Sequence, residues 1–482
     1  MSELPDGWEF ISLGTLIELN PKTNDVEDRT EVGFVPMTLL GKSWLDVPGF
    51  ELRQWASVKK GYTHFRDGDV LLAKITPCFE NGKAGLLNGL PNGIGSGSTE
   101  YFVCRTSPDT LDARYLLGYL KTDDFVHTGA MSMTGSVGHK RVPKEYLLGR
   151  QIPLPPRNEQ TRIANQLDIL LARVQACNDR FDAIPALLKR FRQTVLDAAT
   201  NGVLTQDWRD AQNKTAPAAH EPAWAKAKAL HALPAGWRWA KFTEFLSGFR
   251  SGTSAVPGGD PSVYPVLRSS SVRPMEIDFE DVRYLPNMTK VRADDLLVEG
   301  DVLFTRLSGS LEYVANCAVV RGLGDRKIYY PDRLFRAKLI RPEQGTYFEL
   351  CFASPLLRKH LTVEAKSTAG HQRISMGAVT DFPIPRPPDD EQQEIIKQVG
   401  VLLRFADRIE ARCTAARAQA QRLTPLVLAK AFRGELVPQD PNDEPASALL
   451  ARIGSSYTTA AGENKRKVPV APKECAQTAI NL

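Results

Sequence analysis

The chain has 482 residues, with 61 lysines and arginines against 56 aspartates and glutamates, so its formal net charge is only +5. This charge argues against a polybasic protein, and the length indicates about two to four domains. A hydrophobic share of 42% is enough to build packed cores, which excludes a chain disordered throughout. The start, MSELPDGWEF, lacks a basic segment before an apolar run, and no long apolar run follows, so we expect no secretion signal, no membrane span and a cytoplasmic location.

Metal and cofactor motifs are missing from the sequence. The seven cysteines contain no C-x-x-C pair and the seven histidines no H-E-x-x-H pattern, so we expect neither a disulfide framework nor a metal site. Gly41-Lys42-Ser43 resembles the end of a phosphate-binding loop, but Pro36 stands where that loop requires a glycine, which argues against an ATPase. A nuclease centre could combine Asp332 with Glu364 and Lys366, although such short patterns arise by chance.

An internal repeat organises the chain. His139 and His371 are 232 residues apart, and most of the repeated segments share this offset. The recurring segments are Leu4-Pro5-x-Gly7-Trp8 with Leu233-Pro234-x-Gly236-Trp237, Gly68–Leu71 with Gly300–Leu303, Gly138–Val142 with Gly370–Ile374, and Ile152–Pro156 with Ile384–Pro388. The chain is therefore two copies of one unit, and the period is far too long for a solenoid.

Each copy begins with a part that is typical of mixed α/β structure. Residues 1–157 and 233–389 are rich in Gly, Pro and Ser, with short β-branched and aromatic runs such as Val70–Ala73 and Val302–Thr305. These runs predict short strands separated by turns. The fold class predicted for the whole chain is α+β, with two such domains joined by two long helices.

The segments 158–205 and 390–437 follow a Pro-Pro pair and show heptad periodicity, which predicts two long coiled-coil helices that pair antiparallel. Asn158 and Asp390 are the predicted N-caps, and Gly202 and Gly434 the ends. Pro185 and Pro425 should bend the helices. The predicted apolar seam includes Ile163, Leu167, Leu170, Val174, Phe181 and Leu188 in the first segment, and Ile395, Val399, Leu402, Ile409, Leu423 and Val427 in the second.

Two segments have the composition of flexible chain. The stretch 206–232 is rich in Ala, Lys and Pro and predicts a linker, and 438–482 predicts a small-residue tail. The tail carries the basic triplet Lys465-Arg466-Lys467, which we interpret as solvated charge rather than a nucleic-acid contact.

Polar loops at equivalent places in both copies are the candidate functional residues. Cations there can neutralise phosphates, and hydroxyl or amide groups can bond to base edges, although a tight turn with solvated charges is the alternative for either loop alone. The first loop contributes Lys74, Thr76, Asn81 and Lys83 in copy one, and Arg306, Ser308 and Ser310 in copy two. The second loop contributes Ser136, His139, Lys140 and Arg141 in copy one, and Lys366, Ser367, His371, Gln372 and Arg373 in copy two.

The ordered set of motifs, given twice with helices between them, resembles the specificity subunits of type I restriction-modification systems. The resemblance runs from Leu4 to about Pro438 and includes Gly97–Glu100, which adds Ser98 and Thr99 to the candidate DNA contacts. It implies two target-recognition domains, each reading one half of a bipartite DNA site, held apart by helical spacers. The second copy departs from the pattern because Lys74–Lys83 has no Pro, Asn or second Lys counterpart there.

The resemblance also implies partners and their cofactors. Two methyltransferase subunits would use S-adenosylmethionine to methylate adenine N6, and two motor-nuclease subunits would use ATP and Mg²⁺ for restriction. This chain would then bind no cofactor or metal of its own and carry no catalytic residue. Two other hypotheses stay open on the sequence alone: a single-chain nuclease or methylase with unrecognised motifs, and a coiled-coil scaffold that binds only proteins.

Overall fold

The computed structural model describes residues 4–136, 138–212, 221–258, 261, 264–286, 292–363, 366–368 and 371–452. The chain divides into two compact units. Unit 1 comprises residues 1–182 and 415–482, and unit 2 comprises residues 183–414. Each unit combines one globular part with portions of both long helices, so the helices contribute to the cores of the domains that they were predicted only to separate.

The elements up to and including the first long helix alternate short strands and helices. They are β1 Glu9–Ser12, α1 Leu13–Leu16, β2 Ile17–Leu19, β3 Glu31–Val35, β4 Glu51–Gln54, α2 Trp55–Val58, β5 Thr63–Arg66, β6 Val70–Ala73, β7 Ala84–Leu86, β8 Ile94–Gly97, β9 Tyr101–Thr106, α3 Ala113–Leu120, α4 Asp123–Met131, α5 Lys144–Gly149, β10 Gln151–Leu154 and α6 Arg157–Asn201.

The remaining elements follow a similar order. They are α7 Gln206–Ala211, α8 Ala223–Ala227, β11 Arg238–Lys241, β12 Leu246–Ser251, β13 Pro265–Leu267, β14 Val272–Arg273, β15 Glu276–Ile277, β16 Val282–Tyr284, β17 Val302–Thr305, β18 Leu307–Ser308, β19 Cys317–Val319, β20 Leu334–Leu339, α9 Gly345–Ala353, α10 Pro355–Thr362, β21 Lys366–Thr368, β22 His371–Arg373, α11 Met376–Thr380, β23 Pro383–Arg386 and α12 Asp389–Phe432.

The sheets confirm the predicted internal repeat. Unit 1 has a four-stranded sheet in the order β2-β9-β6-β7, and unit 2 has its counterpart in the order β12-β20-β17-β19. In each unit a two-stranded antiparallel sheet joins the start of the repeat to the strand before the long helix, β1 with β10 and β11 with β23. Unit 1 adds the sheet β4-β3-β8-β5, in which β3 and β8 run parallel. The α+β class is therefore confirmed.

The repeated Gly-Asp pair immediately precedes one of the two inner strands of each four-stranded sheet. Gly68 and Gly300 have φ of +87° and +83°, a conformation that glycine adopts without steric cost. The Asp69 carboxylate accepts the Arg66 N–H at 2.8 Å and closes this turn. Asp69 is buried and also accepts two hydrogen bonds from Arg105, at 2.8 and 2.7 Å. The repeat therefore encodes a turn and a strand start, rather than a ligand contact.

Both long helices are continuous through their prolines. Pro185 lies inside α6 and Pro425 inside α12, so neither proline ends its helix. The helices begin at Arg157 and Asp389, so the N-cap positions are Pro156 and Pro388, and the predicted caps Asn158 and Asp390 are wrong by two residues. Each predicted cap already lies in the first turn, because the Pro-Pro pair is followed at once by helical backbone. The predicted ends are confirmed, since positive-φ glycines at 202 and 434 follow Asn201 and Phe432.

The long helices pack antiparallel within each unit. In unit 1 Asp182 of α6 pairs with Arg417 of α12 at 2.6 Å, and the earlier α6 residue Leu171 shares a core with the later α12 residue Leu428. In unit 2 Arg192 of α6 pairs with Asp407 and Glu410 of α12 at 2.8 and 2.7 Å. Rising residue numbers in one helix therefore meet falling numbers in the other.

Most of the predicted seam is covered, with one marked exception. Ile163, Leu167, Val174, Leu188, Ile395 and Val399 are buried, and Leu170, Phe181, Leu402, Ile409 and Val427 are partly buried. Leu423 is 45% exposed, whereas Leu428 is 3% exposed, so the buried stripe near Pro425 does not follow the predicted heptad. Leu428 packs into the globular core of unit 1 rather than only against α6, and this contact selects the inward-facing residues.

The predicted linker and tail are partly structured. The linker contains α7 and α8, and residues 213–220 lie outside the described residues. In the predicted tail, residues 446–452 are helical, Ala446 and Leu449 are buried in the core of unit 1, and Asp443 pairs with Arg162 at 2.6 Å. Flexibility is therefore wrong for residues 438–452, because apolar side chains anchor them. The basic triplet Lys465–Lys467 lies outside the described residues. Among the described residues, none of the helices is long and apolar enough to cross a membrane.

Candidate nucleic-acid interface

The two predicted loops of each copy are joined by backbone pairing. In unit 1 the Val142 N–H donates to the Lys74 carbonyl at 2.9 Å, and the Thr76 N–H donates to the Lys140 carbonyl at 3.0 Å. Unit 2 repeats the first bond, where the Ile374 N–H donates to the Arg306 carbonyl at 3.1 Å. The pairing brings residues that are about 65 positions apart in sequence into one ladder in each domain.

The ladder has three chain segments, and its register is conserved between the copies. In unit 1 Arg141 lies between Ile75 and Thr134, with both of which it forms antiparallel bridges. In unit 2 Arg373 lies between Leu307 and Lys366 in the sheet β18-β22-β21. Each residue of the second set follows its counterpart by 232 positions, so this small ladder is part of the repeat itself. We call it the loop ladder.

The first cation of each loop ladder lies near an aromatic ring of the adjacent sheet. The Lys74 ammonium is 5.4 Å from the centre of the Phe102 ring, and the Arg306 guanidinium is 5.4 Å from that of Phe335. The Arg306 side chain also donates to the Asp332 carbonyl at 3.0 Å. A cation that lies over an aromatic ring stays charged, and the contact restricts the direction of its side chain. The Lys74 and Arg306 side chains are therefore partly oriented and can still bind a phosphate or a base edge.

Arg141 is committed to an ion pair within its own domain. It donates two hydrogen bonds to the Glu100 carboxylate, at 2.9 and 2.6 Å, and these bonds lower the pKa of Glu100. The Arg141 side chain remains 47% exposed. Glu100 is a member of the site that sequence reasoning did not select as a contact, although it stands in the motif Gly97–Glu100. An Arg–Glu pair of this kind fixes the direction of the arginine side chain without the need for a bound phosphate.

The other predicted residues of copy one divide into exposed and internally bonded groups. The exposed group comprises Asn81, Thr99, Ser136, His139 and Lys140. Lys83 donates to the Met37 carbonyl at 2.6 Å, Thr76 donates to the Met133 sulfur at 3.6 Å, and Ser98 accepts the Glu100 N–H at 3.2 Å. These three side chains therefore shape the loops, and the exposed group is better placed to meet a ligand.

Copy two has fewer describable side chains in the predicted set. Ser308 accepts the Ser310 N–H at 3.4 Å, and Ser310 accepts the Glu312 N–H at 3.3 Å, so both hydroxyls stabilise the turn after β18. Gln372 is partly buried and Arg373 is exposed. The backbones of Lys366, Ser367 and His371 lie in β21 and β22, and their side chains fall outside the described residues, as does Glu364 of the nuclease hypothesis.

No cluster of three or more His, Cys, Asp or Glu side chains that could hold a metal ion occurs among the described residues. The loop ladders instead offer cations, hydroxyls and backbone N–H groups, the groups that proteins use on phosphates and base edges.

The first part of the chain matches a known family of DNA-specificity domains. The model of the family described as "Type I restriction modification DNA specificity domain" matches residues 5–184. The specificity subunit of the type I restriction enzyme EcoKI of Escherichia coli is 37% identical over 320 residues, covering 65% of each chain. The chain is therefore similar to type I restriction-modification specificity subunits, and its residues 5–184 match the DNA specificity domain of that family.

Other relatives extend the match along the chain. The specificity subunit of the Escherichia coli enzyme EcoEI is 29% identical over 480 residues, covering 86% of this chain and 80% of that protein. These relatives are named as specificity subunits of restriction enzymes, which favours the DNA-recognition hypothesis over the single-chain enzyme hypothesis.

Solved structures agree on the fold. The HsdS subunit of Thermoanaerobacter tengcongensis superposes with a TM-score of 0.58 at 19% identity, covering 90% of this chain and 98% of that chain. A chain from a structural study of complex assembly and conformational transition in a type I R-M system gives a TM-score of 0.61 at 17% identity, covering 90% of this chain and 100% of that chain.

Proposed function

We propose that this chain reads a bipartite DNA site, with residues 1–157 recognising one half-site and residues 233–389 the other. The observation that carries the proposal is the loop ladder, which occurs in both units with the same register and presents a cation at its first position each time. Two different half-sites require two similar frames with different side chains. Lys74 against Arg306 and Lys140 against Gln372 are differences of that kind.

We propose that the exposed or oriented polar side chains of the loop ladders make the DNA contacts. Lys74, Asn81, Thr99, Ser136, His139 and Lys140 are the candidates in copy one, and Arg306, Arg373 and Gln372 in copy two. Arginine and lysine can bond to guanine edges or phosphates, and asparagine and glutamine can bond to adenine edges. Lys83, Thr76, Ser98, Ser308 and Ser310 support the loops, and Lys366, Ser367 and His371 remain candidates from the sequence.

The partners in the proposal carry the chemistry. Two methyltransferase subunits with S-adenosylmethionine would methylate adenine N6, and two motor-nuclease subunits with ATP and Mg²⁺ would cleave unmodified DNA, in the cytoplasm. Methylation of an adenine inside a duplex requires the base to leave the stack and enter a partner's pocket. Because the net charge is only +5, the isolated chain should bind DNA weakly, since non-specific affinity comes largely from phosphate neutralisation.

The long helices are proposed to set the gap between the half-sites. Helix α6 has 45 residues and α12 has 44. At 1.5 Å per residue each would extend about 65 Å, more than the roughly 34 Å of one DNA turn that separates two contacts on the same face. Changing their length should therefore change the number of base pairs in the gap.

Co-expression with a candidate methyltransferase subunit, followed by single-molecule sequencing of host DNA for N6-methyladenine, tests the proposal. A bipartite methylated motif that disappears when this gene is deleted supports it. Unchanged methylation, with assembly of the complex demonstrated, contradicts it and favours the scaffold hypothesis.

A further inference from the structure

A lysine outside the predicted site holds the return segment of the first loop in unit 1. Lys121 follows α3, and its side chain is mostly buried. Its ammonium donates to the carbonyls of Gly82 and Ala84, at 3.2 and 2.9 Å, and to that of Lys42 at 2.8 Å. The loop that begins at Lys74 ends at Lys83, so two of these three bonds fall where that loop rejoins the sheet at β7.

Unit 2 has a cation with the same role on a different helix. Arg358 lies in α10 and donates to the carbonyls of Glu312 and Ala315, at 2.7 and 3.3 Å, and to that of Val314. It also donates to the Asn316 side chain at 3.3 Å. These acceptors form the segment that returns from Arg306–Ser310 to β19, the counterpart of the segment held by Lys121.

The two cations do not occupy equivalent positions of the repeat. The 232-residue offset relates Lys121 to Ala353 and Arg358 to Val126, neither of which carries a charge. Each domain therefore places a partly buried cation against the same part of its loop, from a different helix. A feature inherited with the repeat would keep its position, so the arrangement indicates that each loop separately requires a cation at this place.

We propose that Lys121 and Arg358 are positioning residues for DNA recognition, each of which fixes one recognition loop and so controls discrimination at one half-site without contacting DNA. The inference rests on the proposed function, because it takes the loops as DNA contacts. Backbone carbonyls at the end of a loop need hydrogen-bond donors, and a mostly buried cation is stable only when its N–H groups donate hydrogen bonds. A loop already held in place loses less conformational entropy when DNA binds.

The chemistry of the two cations differs in a way that supplies an internal comparison. An ammonium has three N–H donors, which match the three carbonyls around Lys121, and the neutral amine has only two. Burial lowers the pKa of Lys121 to about 8, and Asp46 opposes this shift. Lys42, Glu80 and Asp123 are the other charged groups that line the cavity of about 470 Å³ beside Lys121. Arg358 keeps its charge over the pH range in which Lys121 loses its proton, because a guanidinium does not deprotonate in proteins.

The first experiment uses the wild-type chain in its assembled methyltransferase complex. Binding is compared between the bipartite target and two duplexes, each with one half-site scrambled, at about pH 7 and about pH 9. The expected result is that discrimination at the first domain's half-site falls about fivefold at the higher pH, the size of one lost hydrogen bond, while the second domain's half-site is unchanged. Equal changes at both half-sites overturn the inference, and so does the absence of change at either half-site when the pH dependence of unfolding shows that Lys121 loses its proton in this range.

The second experiment uses variants of the same complex. Lys121→Met should reduce discrimination at one half-site and Arg358→Met at the other, while Lys121→Arg and Arg358→Lys should restore part of it. Arg114→Met is the matched control, since Arg114 lies in α3 and donates instead to Asn165 and Asp168, at 2.8 and 2.9 Å. If a methionine variant fails to fold, the wild-type pH comparison still decides.

The outcomes separate the inference from the proposed function. A wild-type complex that discriminates at neither half-site at about pH 7 overturns the proposed function and the inference with it. A discriminating wild type whose Lys121→Met and Arg358→Met variants match it overturns the inference alone. Variants that each lose discrimination at both half-sites also overturn it, because a general loss of structure would then explain the effect.

Discussion

The Trp8 indole N–H donates to the Glu159 carboxylate at 3.1 Å, and the second copy repeats this bond between Trp237 and Glu391 at 2.8 Å. The start of each repeat is thereby tied to the first turn of its own long helix. The carboxylates are buried, and burial raises the pKa of Glu159. The repeated Leu-Pro-x-Gly-Trp and Glu-Gln motifs, separate in sequence, are one structural element.

The chain that follows a long helix completes this element in each unit. Gln439, after α12, donates to Glu159 at 3.3 Å in unit 1. Thr205, after α6, donates to Glu391 at 2.7 Å in unit 2, and Arg209 adds an ion pair. Each buried carboxylate therefore receives donors from two segments, which satisfies a charge that would otherwise be costly to bury.

Replacing either tryptophan by phenylalanine removes the donor and keeps most of the ring. Trp237→Phe should lower the free energy of unfolding by about 1–3 kcal/mol, because the buried Glu391 carboxylate loses one hydrogen bond to a charged acceptor. Trp8→Phe should have a similar effect through Glu159. Urea unfolding of the purified chain measures both. Trp224→Phe, at a tryptophan packed on the core of unit 2, controls for ring size, and a loss as large as that of Trp237→Phe would contradict the explanation.

The first cations of the two loop ladders should act on different half-sites. Lys74→Ala should lower affinity about tenfold for DNA with an intact first half-site and have little effect once that half-site is scrambled, because the contact is then already lost. Arg306→Ala should show the same dependence on the second half-site. Binding titrations of the complex measure these affinities for the intact bipartite target and for two duplexes, each with one half-site scrambled. Equal loss on all three duplexes would mean that the cation contacts phosphate without reading sequence.

Arg141 should act together with Glu100 rather than as an independent contact. The two side chains share two hydrogen bonds, so Glu100→Gln should disturb recognition at the first half-site in the same direction as Arg141→Ala. The double variant should lose less than the sum of the two single changes. Binding titrations of the four proteins give the coupling, and additive losses would exclude a shared role.

Much of the architecture was predictable because its signals are long and repeated. The 232-residue offset identified the two copies, and heptad spacing with flanking Pro-Pro and Gly residues gave both helices to within two residues at each start. The loops were located by their duplication alone. Their pairing was not predictable, because the Val142–Lys74 and Ile374–Arg306 bonds join segments far apart in sequence and carry no periodic pattern.

The residues that sequence reasoning missed are defined by tertiary contacts. Lys121 follows an apolar helix, where a lysine usually indicates a solvated helix end, and only the fold brings the Gly82 and Ala84 carbonyls to it. Residues 438–452 have the composition of a tail, yet Ala446 and Leu449 are buried in the core of unit 1. Near Pro425 in α12, packing against a globular core, rather than the heptad, selected the buried residue Leu428.

Two leucines of α12 test which residues face inward near Pro425. Leu428→Ala should cost about 2–5 kcal/mol of unfolding free energy, because it leaves a cavity in the core of unit 1. Leu423→Ala should cost less than about 0.5 kcal/mol, because this side chain is already 45% exposed. Denaturant unfolding of the matched pair measures the difference. Similar losses of unfolding free energy in the two variants would support the heptad seam predicted from the sequence, in which Leu423 faces inward.

Lys121 should also give the stability of the chain a specific pH dependence. Its pKa is lowered by burial from 10.5 to about 8 in the folded chain. Between about pH 8 and 10.5 the unfolded chain therefore holds a proton that the folded chain has released, and the unfolding free energy rises with pH by up to about 3 kcal/mol. The sign is opposite to the expected effect on recognition: deprotonation relieves the buried charge and stabilises the fold, while it removes one of the three bonds that hold the loop.

Chemical unfolding of wild type and Lys121→Met from about pH 7 to about pH 10.5 measures this contribution. The difference between the two curves isolates Lys121, because the other titrating groups contribute to both proteins and cancel at distant sites. Wild type should gain on the variant as pH rises through the window. Parallel curves would mean that the ammonium stays charged, with its three carbonyls outweighing burial, and recognition at the first half-site should then be insensitive to pH as well.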